Sequence, residues 1–326
     1  MSTDLPIPRA LARAGFGRLP APIASVGERA HLRFIEFFTA NIRNPNTRRA
    51  YAQAVSDFFA WCGERGIWNL TGIQPSIVAA WLEDLQTTHS KPTVKQRLAA
   101  VRMLFDWLVV GNVVSVNPAS SVRGPKHVVK RGRTPVLTVE ETRALLDSID
   151  TGSVVGLRDK ALISVLVYSF ARIGAALAMK VEDYYPQGKR WWFRLHEKGG
   201  KRHDVPAHHK AEAAVDAYIE AAGIRDDKKG PVFRTAAKGP GRPLTHAPMR
   251  QSDAWRMIRR RTRAAGIDTE CCCHTFRATG ITAYLQGGGT LEHAQQIAAH
   301  ESPRTTKLYD RTRDQITLDE IERIAI

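Results

Sequence analysis

Within residues 271–313, CCCHTFRATGITAYLQGGGTLEHAQQIAAHESPRTTKLYDRTR, four side chains stand at spacings that suit one kind of reaction. His274 and Arg277 form H-x-x-R, His300 follows, and Tyr309 lies nine positions beyond it. A helix beginning near His274 puts residues three apart on one face, so an imidazole and a guanidinium point into the same space. Arginine pairs with the non-bridging oxygens of a phosphodiester through its planar fork. Imidazole exchanges protons near neutral pH, and a phenol can be a nucleophile. H-x-x-R alone is more often ordinary helix surface. His300, Tyr309 and a further arginine upstream turn the balance toward chemistry on a phosphate.

These side chains need elements to hold them. Ser302-Pro303-Arg304 reads as an N-cap followed by Pro at the first helical position, which starts a short helix whose second turn ends on Tyr309. Upstream, Thr138-x-x-Glu141 is a capping box ahead of a helix running to Ile149. A more apolar helix over 157–170 must be buried, and it delivers the chain to Arg172, next to a buried helix end. Arg190–His196 and Lys201–Pro206 read as two strands around Lys198-Gly199-Gly200, a hairpin with Lys198 at its tip. Trp255–Arg263 is a cationic helix, and its like charges four apart would be relieved by an anionic partner.

The preceding residues read as a separate, all-helical domain over 27–124. Tyr51, Val55, Phe58 and Cys62 recur at helical spacing after Asn46-Thr47, which can cap. Ile77, Trp81 and Leu85 mark a second helix after Pro75. Val94, Leu98, Val101, Phe105 and Leu108 mark a third, with Lys95, Arg97 and Arg102 off that stripe. The aromatic residues fit a core better than a base-stacking platform. Residues 1–26, rich in Pro, Ala, Gly and Arg, read as a flexible arm. Residues 125–135 read as a basic linker, part of RGPKHVVKRGRT, which holds five basic residues and no acidic one. Residues 136–326 form the second domain. Its last element combines a capping box (Thr317, Glu320) with an apolar face (Leu318, Ile321, Ile324).

Composition narrows the partner. The 326 residues carry a formal net charge of +16, which favours a polyanion, most simply nucleic acid. The excess is spread, with 18 Lys/Arg against 8 Asp/Glu over residues 1–135 and 30 against 24 over 136–326. Arg48, Arg49, Lys95, Arg97, Arg102, Lys126, Lys130, Arg131, Arg133, Arg256, Arg259 and Arg260 are the candidate phosphate contacts, although basic faces are commonly just solvated. Cys271, Cys272 and Cys273 match neither a disulfide framework nor a C-x-x-C metal pair, and read as reduced thiols. No apolar run approaches a membrane span and no signal-peptide pattern opens the chain, so a cytoplasmic, membrane-free protein is expected.

Taken together, residues 28–326 resemble the tyrosine recombinases, the phage-integrase-like and Xer-like DNA recombinases. The family's catalytic arginine matches Arg172 in ARIGAALAMKVED, and its lysine matches Lys198 in EKGGK. Its His-x-x-Arg, second His and Tyr match His274, Arg277, His300 and Tyr309. One position departs: the acidic residue usual three places after the first arginine is Ala175.

The resemblance implies a mainly α (α+β) architecture. A helical, SAM-like, DNA-clamping domain would precede a mostly helical catalytic domain with a small antiparallel sheet. It implies double-stranded DNA as partner, a tetramer on synapsed DNA, and a C-terminal helix that docks in cis or in trans. It further implies attack by Tyr309 to form a 3′-phosphotyrosine, with no cofactor, metal or ATP. Arg172 would then need another carboxylate or a backbone carbonyl to hold it. Two other readings stay open from the sequence: a type IB topoisomerase-like enzyme, and a catalytically idle DNA-binding accessory protein of the same fold.

Overall fold

A computed structural model describes residues 19–129, 132–197, 200–237 and 243–310. The chain divides into two compact units, Met1–Val128 and Val129–Ile326. The division falls inside the basic stretch 123–134. The chain is mainly helical with small antiparallel sheets. Among the described residues no helix is long and apolar enough to cross a membrane.

In the first unit, α1 (Ala21–Ala24), α2 (Glu28–Glu36), α3 (Pro45–Glu64), α4 (Pro75–Thr88) and α5 (Lys91–Val110) surround one apolar core. Residues 19–26 depart from the expected arm, because Ala21–Ala24 form a short helix whose Ile23 is fully buried in that core. The rest of the expected arm, residues 1–18, lies outside the described residues. α3 begins before the expected Asn46-Thr47 cap. The Asn44 side chain accepts from the N–H of Asn46 (2.9 Å) and Thr47 (3.2 Å), and Pro45 starts the helix with a preset φ. The stripe Val94, Leu98, Val101, Phe105 and Leu108 on α5 is buried throughout. Phe58 meets Trp81 edge to face at 4.8 Å, which makes these aromatics core.

The second unit opens with α6 (Val139–Asp147), where the capping box forms in both directions: Glu141 N–H donates to Thr138 Oγ1 (3.1 Å) and Thr138 N–H to Glu141 Oε2 (2.8 Å). α7 (Val154–Tyr168) is buried on all sides and leads through Phe170 to α8 (Ile173–Leu177). A three-stranded antiparallel sheet follows, β1 (Tyr184–Gln187), β2 (Arg190–His196) and β3 (Arg202–Pro206), in the order β1-β2-β3. The expected hairpin is β2–β3, with His196 opposite Arg202. Gly200 at φ +80° supplies the left-handed residue of its turn. The strand β1 was not expected; it pairs Tyr184 with Phe193 and stacks Tyr184 on Trp191.

Next come α9 (His209–Ala221), a two-stranded sheet β4 (Arg234–Ala236) and β5 (Leu244–Pro248), α10 (Gln251–Ala264), α11 (Cys273–Gln286), α12 (Leu291–Ile297) and α13 (Pro303–Lys307). A buried ionic hub ties α7 to α10. Asp159, with no exposed surface, accepts from Arg158 on one oxygen and from Arg260 and Arg261 on the other. Arg158 also donates to the carbonyl of Arg234 at 2.8 Å. Part of the anionic relief expected for the cationic helix is therefore internal. α11 lies close against α7, and Gly280 permits it: a Cβ there would stand 2.0 Å from the carbonyl oxygen of Val167.

Candidate active site

α11 positions His274 and Arg277 three residues apart near its start, as the H-x-x-R spacing predicts. Arg277 is 1% exposed, and its guanidinium is held by two backbone carbonyls, Phe170 after α7 and Ala298 after α12, the latter at 2.5 Å. Both clamps sit at strained backbone. Phe170 has φ +52°, and Ala299, which follows Ala298, has φ +47°. Left-handed φ at a residue other than Gly is unfavourable and persists where the surroundings fix it. At Ala299 the reason is visible. The N–H of Ala299 donates to Gln296 O (3.0 Å) and that of His300 to Gln295 O (3.1 Å), a Schellman ending for α12. This ending both presents the Ala298 carbonyl and places His300.

Tyr309 lies just past α13, beyond the Leu308 that ends it, and is 8% exposed. Three contacts fix it. Its ring stacks on His300 with centroids 5.7 Å apart and planes 9° from parallel. Its carbonyl accepts from Thr282 Oγ1 at 2.9 Å. Its hydroxyl lies 2.6 Å from Nε2 of His274. His300 is steadied in turn by Thr306, whose Oγ1 is 2.9 Å from Nδ1. Ser302 caps α13 by accepting from the N–H of Arg304 at 3.3 Å. Arg277 Nε is buried and makes no hydrogen bond of good geometry, although the Tyr309 phenol is within its electrostatic reach.

Arg172 immediately precedes α8, where the buried end of α7 turns outward. Its Nη1 donates to Oε2 of Glu197, the residue after β2. The Glu197 side chain is 4% exposed and that of Arg172 36%, so the carboxylate is interior and the guanidinium half open. Ala175, one turn along α8, is buried in the apolar core. Glu182 pairs with Lys229, while Asp183 accepts from the Lys180 N–H and faces His196 and Arg194. Neither reaches Arg172, as expected. Glu197 had not been singled out; its place between the strand end and Lys198 is the only hint the sequence carries. The sheet is anchored to the site by His203, whose Nε2 is 3.0 Å from the carbonyl of Ile297.

The charges act on one another. Burial, then Arg277 and Arg172, hold the His274 imidazole below its ordinary range. The same causes, with His274 added, bring His300 down to about 3. Both rings are therefore neutral at pH 7. Burial raises the Tyr309 phenol above its usual value, and Arg277 and Arg172 pull against that rise without overcoming it. The arginines alone thus do not ionise the phenol, which must lose its proton as it attacks. A neutral His274 at hydrogen-bond distance can accept its proton. Arg277 falls to about 10 through burial and the nearby Arg172, with Glu197 and Tyr309 opposing, and stays charged.

The structure thus brings together Arg172, His274, Arg277, His300 and Tyr309; Lys198 lies outside the described residues. Of the candidate phosphate contacts, Arg49, Lys95, Lys126, Arg133, Arg256 and Arg260 are exposed. Three are committed internally because the chain needs their donors. Arg48 closes on the carbonyl of Ile42, Arg97 pairs with Asp57, and Arg102 donates to the carbonyls of Ala119 (3.1 Å) and Val122 (2.6 Å). Arg256, Arg259 and Arg260 pair with Asp253, Glu270 and Asp159. Lys130 and Arg131 lie outside the described residues, as does the expected C-terminal helix. Cys271 is buried, with its thiol pushed up to about 11, while Cys272 and Cys273 are half-buried.

Residues 135–315 match the phage integrase family, and residues 33–111 match the N-terminal SAM-like domain of phage integrases. The chain is 27% identical over 300 residues to tyrosine recombinase XerC of Myxococcus xanthus, covering 89% of this chain and 95% of that one. It is 30% identical over 231 residues to tyrosine recombinase XerC of Chlamydia muridarum, covering 70% and 69%. Its fold resembles that of XerH site-specific recombinase in a post-cleavage complex with palindromic difH substrate (TM-score 0.69, 17% identity, 94% and 96% covered). It also resembles a lambda integrase tetramer bound to a Holliday junction (TM-score 0.67, 16% identity, 95% and 83% covered). With its family match spanning the whole cluster from Arg172 to Tyr309, the chain belongs to the phage integrase family, the tyrosine recombinases that cleave and rejoin DNA.

Proposed function

We propose that the five clustered side chains, with Lys198, carry out site-specific recombination on double-stranded DNA through a covalent bond to Tyr309. The observation that carries this reading is the Tyr309 hydroxyl at 2.6 Å from a neutral His274, with Arg277 and Arg172 close by. Tyr309 Oη attacks the phosphorus as its proton passes to His274. The bond from phosphorus to the 5′-oxygen breaks, leaving a 3′-phosphotyrosine. Lys198 gives a proton to the departing oxygen, so a free 5′-hydroxyl forms. Arg172 and Arg277 hold the charge on the non-bridging oxygens, where loss of one such donor costs about a hundred- to a thousandfold in rate. His300 keeps Nδ1 on Thr306, packs against the tyrosine ring and bonds the same phosphate. The bond energy is stored in the ester, so a 5′-hydroxyl from another strand can reverse the step.

Both units bring exposed basic residues to the DNA: Arg49, Lys95 and Lys126 from the first, Arg133, Arg256 and Arg260 from the second. These bind phosphates without reading sequence. Strand exchange requires more than one copy, and a tetramer on synapsed DNA follows from the resemblance to recombinases of known assembly. A DNA substrate and the lack of any membrane-spanning helix among the described residues agree with a cytoplasmic protein. The named relatives are recombinases, which favours this reading over a topoisomerase, and the filled cluster favours it over an idle DNA binder. The test is to express the chain in cells, recover DNA bound through denaturation, and sequence its ends. Recombination predicts adducts at a defined sequence, with strands exchanged between two sites. Adducts at unrelated sequences without exchange would indicate a topoisomerase, and no adduct would leave only binding.

A further inference from the structure

We propose that Glu197 is the positioning residue for Arg172, supplying from the end of β2 the carboxylate that Ala175 lacks on α8. The proposal rests on the reading of Arg172 as a phosphate-binding residue and deepens it. Among the described residues, Glu197 is the only side chain hydrogen-bonded to Arg172. The local alternatives are occupied. Asp183 is spent on the Lys180 N–H, His196 and Arg194, Glu182 on Lys229, and the Phe170 carbonyl on Arg277. Ala175 has a methyl group buried in the core and nothing to offer a guanidinium.

Glu197 is also placed to stay where it is. Its backbone closes the hairpin, with its N–H donating to Lys201 O at 2.8 Å and its carbonyl accepting from Gly200 at 3.2 Å. Its side chain is almost wholly enclosed, so a carboxylate there needs a cation, and Arg172 provides one. Only Nη1 of Arg172 is engaged, and the half-open remainder of the fork is free to face a phosphate. The same carboxylate lies within electrostatic range of Arg277 and offsets the repulsion between the two arginines. Without it Arg172 would regain the rotamers of a long side chain, and a misplacement of about 1 Å in such a group costs about a hundredfold in rate.

The test uses the full chain and a nicked duplex carrying the sequence recovered with the covalent adduct, with single-turnover cleavage and DNA affinity measured separately. Glu197→Gln, which keeps the shape and removes the charge, should slow cleavage about tenfold. Glu197→Ala should slow it about ten- to a hundredfold, the range for lost supporting contacts at metal centres, and Glu197→Asp should recover part of the loss. DNA affinity should stay within about twofold throughout. Because Glu197 acts through Arg172, adding Glu197→Gln to Arg172→Ala should slow cleavage no further. Cleavage by Glu197→Gln at the wild-type rate would overturn the proposal, and so would an equal slowing with and without Arg172→Ala. If Glu197→Ala fails to fold, the isosteric Gln variant decides alone. An absence of any adduct from the wild-type chain would instead remove the reading of the site, and this proposal with it.

Discussion

The hydroxyl of Tyr309 and Nε2 of His274 stand 2.6 Å apart, and their ordinary proton affinities are shifted in opposite directions. Burial raises the phenol, while burial and two arginines lower the imidazole. At neutral pH the pair is therefore a protonated tyrosine beside an unprotonated histidine, ready for transfer during attack and not before it. Single-turnover cleavage should hold its rate as pH falls through 6.5, the ordinary value for histidine, and drop only below it. A half-maximal point at or above 6.5 would mean that His274 is not the base.

His300 gives a pH effect on stability. Its folded value of about 3 lies below the ordinary 6.5, so between these limits the unfolded chain binds more protons than the folded one. Stability must then fall as pH falls from 6.5 toward 3, with a slope from this group approaching about 1.4 kcal/mol per pH unit, and be insensitive to it above 6.5. His300→Gln should unfold in urea with a weaker dependence on acid. Parallel curves for the two proteins would contradict the assignment.

Gly280→Ala should cost about 1–3 kcal/mol, as overpacking does. The new methyl would stand 2.0 Å from the carbonyl oxygen of Val167 and 2.8 Å from the Phe170 ring. Pushing α11 from α7 also disturbs the Phe170 carbonyl that holds Arg277, so cleavage should slow together with the loss in urea midpoint. An unchanged midpoint would show that the two helices are not in the close contact described.

Much of this site was legible because its signals are local. H-x-x-R on a helix, an N-cap before a proline, and a hairpin marked by glycines each depend on neighbours in sequence, and His274, Arg277, the strand Arg190–His196 and the start of α13 lie where those signals put them. What could not be read depends on pairing across the fold. Glu197 meets Arg172 only because β2 ends beside α8, 25 residues apart in sequence. Thr282 reaches the Tyr309 carbonyl across a separation of 27 residues. Asp159 gathers arginines from α10 only once α7 is buried against it. Charge alone also misleads: Arg97 and Arg102 look like phosphate contacts in sequence, yet the fold uses them on Asp57 and on two backbone carbonyls.

DNA binding should be strongly salt-dependent. If about eight phosphates are neutralised, log K falls with log salt at a slope of about −7. Substituting Lys95 or Lys126, which are exposed, should reduce the slope by about one each. Arg102→Ala should mainly destabilise the segment that it ties down around Ala119 and Val122. A slope shallower than about −3 would mean that most of the positive charge is solvated surface.

The most direct test of the account is the covalent bond itself. The wild-type chain, incubated with its nicked target duplex, should give a protein–DNA adduct that survives a denaturing gel. The DNA-linked peptide released from it by proteolysis should contain Tyr309. Tyr309→Phe should bind the same duplex with unchanged affinity and give no adduct. An adduct persisting in that variant, or a linked peptide that lacks Tyr309, would contradict the assignment.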